Sequence, residues 1–378
     1  MISTDNLGLE GKLQKLVAVC LLRSFMGLHQ FGANMPIITV AMPVFNGARF
    51  LDEAIASILA QTCDDFELII SDDGSTDRSL EIAQGYAAGD ARIVLVAGQH
   101  GGIASAMNRA LAVARGKYFA PMDQDDIALP DRLGKLALFL EENPEIALVG
   151  GRVRLINEAG RIGREKVRPV RPRAVASAML TSMAVIHPAS MLRTEAACVV
   201  GGYRSILPFA EDYDLWLRLM ERYQIANIAD VVLLKRIHPG AVTQDRPQRA
   251  AQVVARTIAY LSHRSRATYG DDFVFSGQPL LVSAARFIDA YLHHCDGLDS
   301  PDRYHLSAFA RYAPLLTTEP RAVTRPYLRY LAKTLRGSGI RQLSRTCFYL
   351  ALHFGYHRWH QGVLARAFAA GKASPVAA

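Results

Sequence analysis

The sequence predicts an α/β protein built on a doubly wound mixed sheet, followed by a mostly helical C-terminal region. Three observations predict it. From Pro36 onward, short β-rich runs alternate with helical periods; two of those runs close on acidic clusters; and helical periodicity dominates after about residue 247. A chain of 378 residues holds two domains, or one large domain with an extension, and its apolar share supplies a substantial core.

Strands are expected at residues 37–44, 66–71, 92–96 and 117–122, and helices at 50–59, 79–88 and 103–114, where apolar residues recur at helical spacing. Pro130 opens a further helix that stops before Pro144. Residues 146–193 read as mixed, partly antiparallel strands turning at Gly150-Gly151, Gly160 and Gly163, with an irregular connection over Pro169 to Pro172. A helix at 212–223 and a strand at 225–237 complete the pattern. The organisation expected is a helical extension over 1–35, an α/β domain over 36–246 and a basic, mostly helical region over 247–378.

The acidic clusters are Asp72-Asp73 and Asp123-Gln124-Asp125-Asp126, each at the end of a strand-like run. In a sheet of parallel strands those ends face one crevice, so the clusters converge on a shared ligand. Residues i and i+2 of an extended segment lie on one face, which lets Asp123 and Asp125 reach one cation. Hard oxygen ligands suit Mg²⁺ or Mn²⁺, and a metal-bound nucleotide is the natural candidate. Taken alone, Asp73-Gly74-Ser75 is also ordinary turn chemistry, and the second cluster could simply cap the helix behind Pro130.

Four segments together resemble the ordered motifs of the family 2 glycosyltransferases: Ile38 to Asn46, Ser71 to Asp77, Met122 to Asp126, and Glu211-Asp212-Tyr213-Asp214-Leu215-Trp216. The resemblance covers roughly Pro36 to Thr243. It implies a GT-A fold, a nucleotide-sugar donor, a divalent cation and inversion at the anomeric carbon. Position by position, it implies that Pro43 and Phe45 line the nucleobase pocket and that Asp73 accepts a hydrogen bond from the base, usually uracil. Asp125 becomes the principal metal ligand and Asp123 helps to hold the donor sugar or the metal. Asp212 falls at the catalytic base. Arg236 and His238 match an Arg-x-His ending that meets the diphosphate or the metal, which makes His238 a further metal candidate. Asn108 matches the helix after the third strand, where Met107 replaces a frequent basic residue and Arg109 is the substitute for a phosphate contact. His187, in a segment resembling the one beneath the acceptor site, is read as structural or acceptor-positioning.

The function implied is transfer of one sugar from a nucleotide sugar, a UDP-sugar first, to a hydroxyl acceptor. By the same resemblance the acceptor is a glycan carried on a polyprenyl diphosphate, in surface polysaccharide synthesis. No Gln-x-x-Arg-Trp segment follows Asp212, which argues against a processive synthase. A nucleotide-sugar-binding protein without catalysis is the alternative, but it has no need of Asp212. No GxGxxG follows the first strand, so a Rossmann dehydrogenase is excluded.

The net charge is +8, and from Arg303 onward twelve Lys or Arg face the single acid Glu319. Interleaved with Leu, Phe, Tyr and Trp359, these residues suit either a membrane-surface helix or a packed helical cap with a solvated basic face. A nucleic-acid partner is not expected, since no recognition motif is present and the acidic crevice repels phosphate unless metal is bound. Five scattered cysteines without CxxC spacing point to a reducing, cytoplasmic location, at most peripheral on the inner face of the plasma membrane.

Overall fold

The computed structural model describes residues 36–240, 246–269, 302, 304–306 and 308. The expectations for residues 1–35 and for most of the basic C-terminal stretch lie outside these. The chain divides into two compact units, Met1–Phe275 and Ser276–Ala378.

Strands β1 (Ile38–Val44), β2 (Phe66–Asp72), β3 (Ile93–Ala97) and β4 (Tyr118–Pro121) form the parallel half of a mixed sheet. The other half contains β5 (Ile127–Ala128), β6 (Ile146–Ile156), β8 (Ser190–Arg193) and β9 (Gln224–Arg236), with β7 (Ile162–Lys166) hanging from β6. The order across the sheet is β3-β2-β1-β4-β8-β6-β9-β5 among the described residues. Strand β8 runs antiparallel to both β4 and β6, which is where the parallel half gives way to the mixed half. The doubly wound mixed sheet expected from the sequence is therefore present.

The helices are α1 (Leu51–Leu59), α2 (Ser79–Gly89), α3 (Ile103–Val113), α4 (Arg132–Glu142), α5 (Pro172–Met179), α6 (Thr194–Val199), α7 (Glu211–Met220) and α8 (Arg246–Tyr269). Every residue of β1 and β2 is buried, as parallel strands covered on both faces require. Helix α1 buries Leu51, Ala54, Ile55 and Ile58, the i, i+3, i+4, i+7 stripe of an amphipathic helix. Helix α4 does the same with Leu133, Leu136 and Leu140. Pro43, which has no N–H to give, sits in β1 beyond Ala41, where the pairing with β4 has already ended, so its missing donor costs no ladder bond there.

Residues 146–193 differ from the expectation. Two strands are followed by helix α5 and a single 3₁₀ turn at His187–Ala189 before β8. Helix α5 is only eight residues long and buries just Val175 and Met179, so its period is too short to read; Pro172, in the stretch expected to be an irregular connection, lies in its first turn.

Candidate active site

The ends of β1, β2 and β4 carry three loops that are bonded to one another. Asn46, past β1, adopts a left-handed backbone (φ 47°), which Asn tolerates better than most residues. Its side-chain oxygen accepts from the Thr76 amide at 2.8 Å and its own amide donates to Ser75 Oγ at 3.0 Å, which ties the β1 loop to the β2 loop. Gln124 ties the β1 loop to the β4 loop: its Oε1 accepts from the Phe45 amide at 2.9 Å and its Nε2 donates to the Phe45 carbonyl at 3.1 Å. Gly74 has φ 78°, and a Cβ there would lie 3.1 Å from the His100 nitrogen, so both conformation and space call for glycine.

Asp72 and Asp73 have separate tasks. Asp72 Oδ2 accepts from the amides of Gly74 and Ser75 and holds the turn. Asp73 is buried, and its carboxylate accepts from the amides of Gly101 and Gly102, from Arg109 Nη2 at 2.7 Å and from His100 Nδ1 at 2.9 Å. A carboxylate offers about four lone-pair sites, so these donors fill Asp73. Arg109, the substitute phosphate contact of the sequence reading, is committed to Asp73, to the Asp72 carbonyl and to Ser105 Oγ instead. Phe45 is exposed and stacks on His100 with ring centroids 4.1 Å apart, whereas Pro43 is buried in β1. His100 lacks any motif and escaped the sequence reading.

Among the described residues, Asp123, Asp125 and Asp126 form a group of three acids whose oxygens lie within 4.8 Å of one another. Opposed ligands of Mg²⁺ are about 4.2 Å apart, twice the ~2.1 Å metal–oxygen distance, so the donor set fits a hard divalent cation with small side-chain shifts. The three are not equivalent. Asp126 has a side chain at 0% exposure and accepts from the Arg236 amide at 2.8 Å, while Asp123 and Asp125 keep 31% and 22% exposure. Asp123 and Asp125 are thus the pair open to a ligand, and Asp126 braces the loop.

The end of β9 brings nitrogen partners to this loop. Lys235 Nζ lies 3.1 Å from Asp123 and 3.3 Å from Asp126, and His238 Nε2 lies 2.8 Å from Asp125. Burial pushes the Asp123 carboxyl up, but Lys235 and His187 outweigh it and hold Asp123 below its ordinary range. Burial pushes Asp126 up against the pull of Lys235. Arg236 is spent on structure: it donates to the Asp125 carbonyl, pairs with Glu53 and reaches the Glu158 carbonyl, with its side chain 1% exposed. The sequence reading that Arg236 meets the diphosphate is corrected accordingly, because a side chain so enclosed has no free face.

Glu211, Asp212 and Asp214 open helix α7. Asp214 is fully buried between Arg204 and Arg218, which hold it below its ordinary range despite burial. Glu211 is buried, and desolvation together with the charge of Asp212 pushes it up to about 8. Asp212 is half-buried and its Oδ1 accepts from the Tyr213 amide at 2.7 Å. Burial raises its pKa; the charges of His187 and Arg256 pull the other way. His187 links this corner to the acidic loop, with Nδ1 3.8 Å from Asp123 and Nε2 3.1 Å from the Tyr203 hydroxyl. Asn108 pins the Tyr203 backbone with two hydrogen bonds of 2.7 and 2.9 Å, so the helix after β3 holds the Tyr203 side of this corner.

These residues come from loops at the ends of β1, β2, β4 and β9 and from the start of helix α7, and sequence similarity gives the class of protein that carries them. The Glycosyl transferase family 2 model matches residues 39–199. EpsE of Bacillus subtilis (strain 168), named as a glycosyltransferase, is 37% identical over 251 residues, 65% of this chain and 88% of that protein. An uncharacterized glycosyltransferase of Haemophilus influenzae is 30% identical over 244 residues, 60% of this chain and 75% of that protein. The chain belongs to glycosyltransferase family 2. Among solved structures, the mannosyltransferase PcManGT from Pyrobaculum calidifontis, in complex with GDP-Man and Mn²⁺, is 18% identical with a TM-score of 0.48, covering 92% of each chain.

Proposed function

We propose that this glycosyltransferase moves one sugar, with inversion and with the help of a divalent cation, from a UDP-sugar to a hydroxyl of a lipid-linked glycan. The observation that carries the reading is the placement of Asp212, raised by burial, within electrostatic reach of Asp123 in the acidic loop. One carboxylate pair can hold a donor while a separate carboxylate takes a proton. The stacked Phe45 and His100 rings beside Asp73 offer a flat apolar surface to a nucleobase. Basic residues from Arg303 onward favour an anionic membrane surface, where a lipid-linked acceptor resides.

Asp212 removes the proton from the acceptor hydroxyl as its oxygen forms a bond to the anomeric carbon, and the bond from that carbon to the diphosphate breaks with its electron pair leaving on oxygen. A raised pKa makes Asp212 a stronger base than a solvated aspartate, and the charges of His187 and Arg256 limit the rise. Asp123 and Asp125, with His238 beside Asp125, would hold a divalent cation, which when bound would supply positive charge at the diphosphate leaving group. Asp214, spent on two arginines, is left out of the chemistry.

Asp212→Asn tests the assignment. The variant should bind UDP and Mn²⁺ with near-normal affinity and lose turnover by ~10²–10⁴, the usual effect of removing a general base. Near-normal turnover moves the base to another group, and lost nucleotide affinity puts Asp212 in the donor site.

A further inference from the structure

Lys235 stands at a place that the proposed chemistry does not use. It lies one residue from the end of β9, and its ammonium sits between two of the three acids, 3.1 Å from Asp123 Oδ2 and 3.3 Å from Asp126 Oδ2. The loop it enters is stiff. Asp126 is fixed by the Arg236 amide, the Asp125 carbonyl by the Arg236 side chain, and Gln124 by the Phe45 backbone. With the loop held in this way, a lysine on a flexible four-carbon stem is the partner with more freedom to move.

We propose that Lys235 is a tethered cation that competes with the divalent metal for Asp123 and couples metal binding to binding of the donor diphosphate. The inference rests on the metal-assisted reading above and adds a positioning residue to it. Without nucleotide, a metal approaching Asp123 and Asp125 meets a positive charge already bound to one of the two. A diphosphate brings the negative charge that relieves this: it gives the ammonium a new partner, and Asp123 is released to the metal. Two ligands that each remove the obstacle to the other bind with positive coupling, and the coupling is reciprocal.

The experiment measures Mn²⁺ affinity by electron paramagnetic resonance of the free ion, with and without UDP, for the unaltered chain and for Lys235→Met. The unaltered chain should bind Mn²⁺ more tightly in the presence of UDP. Lys235→Met should bind Mn²⁺ alone more tightly than the unaltered chain, by a factor in the range of about 5 to 150 that such couplings span, and should show a smaller effect of UDP. Lys235→Gln, neutral but able to donate hydrogen bonds, should follow Lys235→Met and serves if that variant does not fold. Lys235→Arg, which keeps the charge, should stay near the unaltered value. Equal or weaker Mn²⁺ binding in the neutral variants overturns the proposal while leaving the metal site in place. Equal Mn²⁺ affinity with and without UDP in the unaltered chain overturns it without any variant. No Mn²⁺ binding in any condition overturns the metal-assisted reading itself.

Discussion

Adjacent aspartates in this chain do unlike work, and burial separates them. Asp125 stays partly exposed beside His238, whereas Asp126 gives its oxygens to Lys235 and to the Arg236 amide. Asp125→Ala should therefore leave the fold intact and abolish Mn²⁺- or Mg²⁺-stimulated turnover; an activity assay with and without chelator, together with a melting curve, checks both halves. The sequence pattern identified the cluster and the i, i+2 pair, because alternation along an extended segment is a local property. It did not identify Lys235, His100 or Gln124, whose partners lie between 27 and 112 residues away. A lysine closing an apolar run at the end of β9 is the signal that could have drawn attention to Lys235.

Glu211 yields a prediction about pH. Its folded-state pKa, about 8, lies above its ordinary 4.5, so folding favours the protonated form. That stability is fully present below about 4.5 and is lost as pH rises through about 8. Within this window the loss reaches at most about 1.4 kcal/mol per pH unit. Glu211→Gln, which mimics the protonated side chain, should flatten the alkaline fall in unfolding free energy between those limits, as measured by denaturant titration across pH.

At the scale of elements, helix α7 carries both the reacting acid and its own anchor. Its buried residues include Tyr213, Leu215, Trp216, Leu217 and Leu219; Asp214 ties it to Arg204 in the preceding loop and pairs with Arg218 one turn further along the same helix. Arg218 also donates to the carbonyls of Val200 and Gly202, which brings the Gly201–Tyr203 loop along with the helix. Asp214→Ala removes the anion that the buried Arg218 shares with Arg204, and should destabilise the protein by about 3–5 kcal/mol, read as a lowered denaturation midpoint. The start of this helix was legible within one residue, because three acids precede an apolar run. The shorter elements were not: β5 has two residues, α6 has six, and each is set by the neighbours it packs on rather than by its own period.

Across the whole molecule, the site is assembled by the sheet order more than by any one motif. Strands β1, β2 and β4 deliver three loops to one rim, and β9, parallel to β6 on the far side of β8, returns to supply Lys235 and to lead into His238. That return is the step periodicity could not foresee, since pairing across the mixed half depends on contacts far apart in the chain. Among the described residues, no helix is long and apolar enough to cross a membrane.

Metal-dependent donor turnover tests the central claim most directly. The full chain is incubated with a panel of UDP-sugars and GDP-sugars, with Mn²⁺ or with excess chelator, and release of nucleoside diphosphate is followed. Release is expected from at least one UDP-sugar, requiring the cation and falling by ~10²–10⁴ in Asp212→Asn. Release that is undiminished by chelator, or equal in the Asp212→Asn variant, would contradict it.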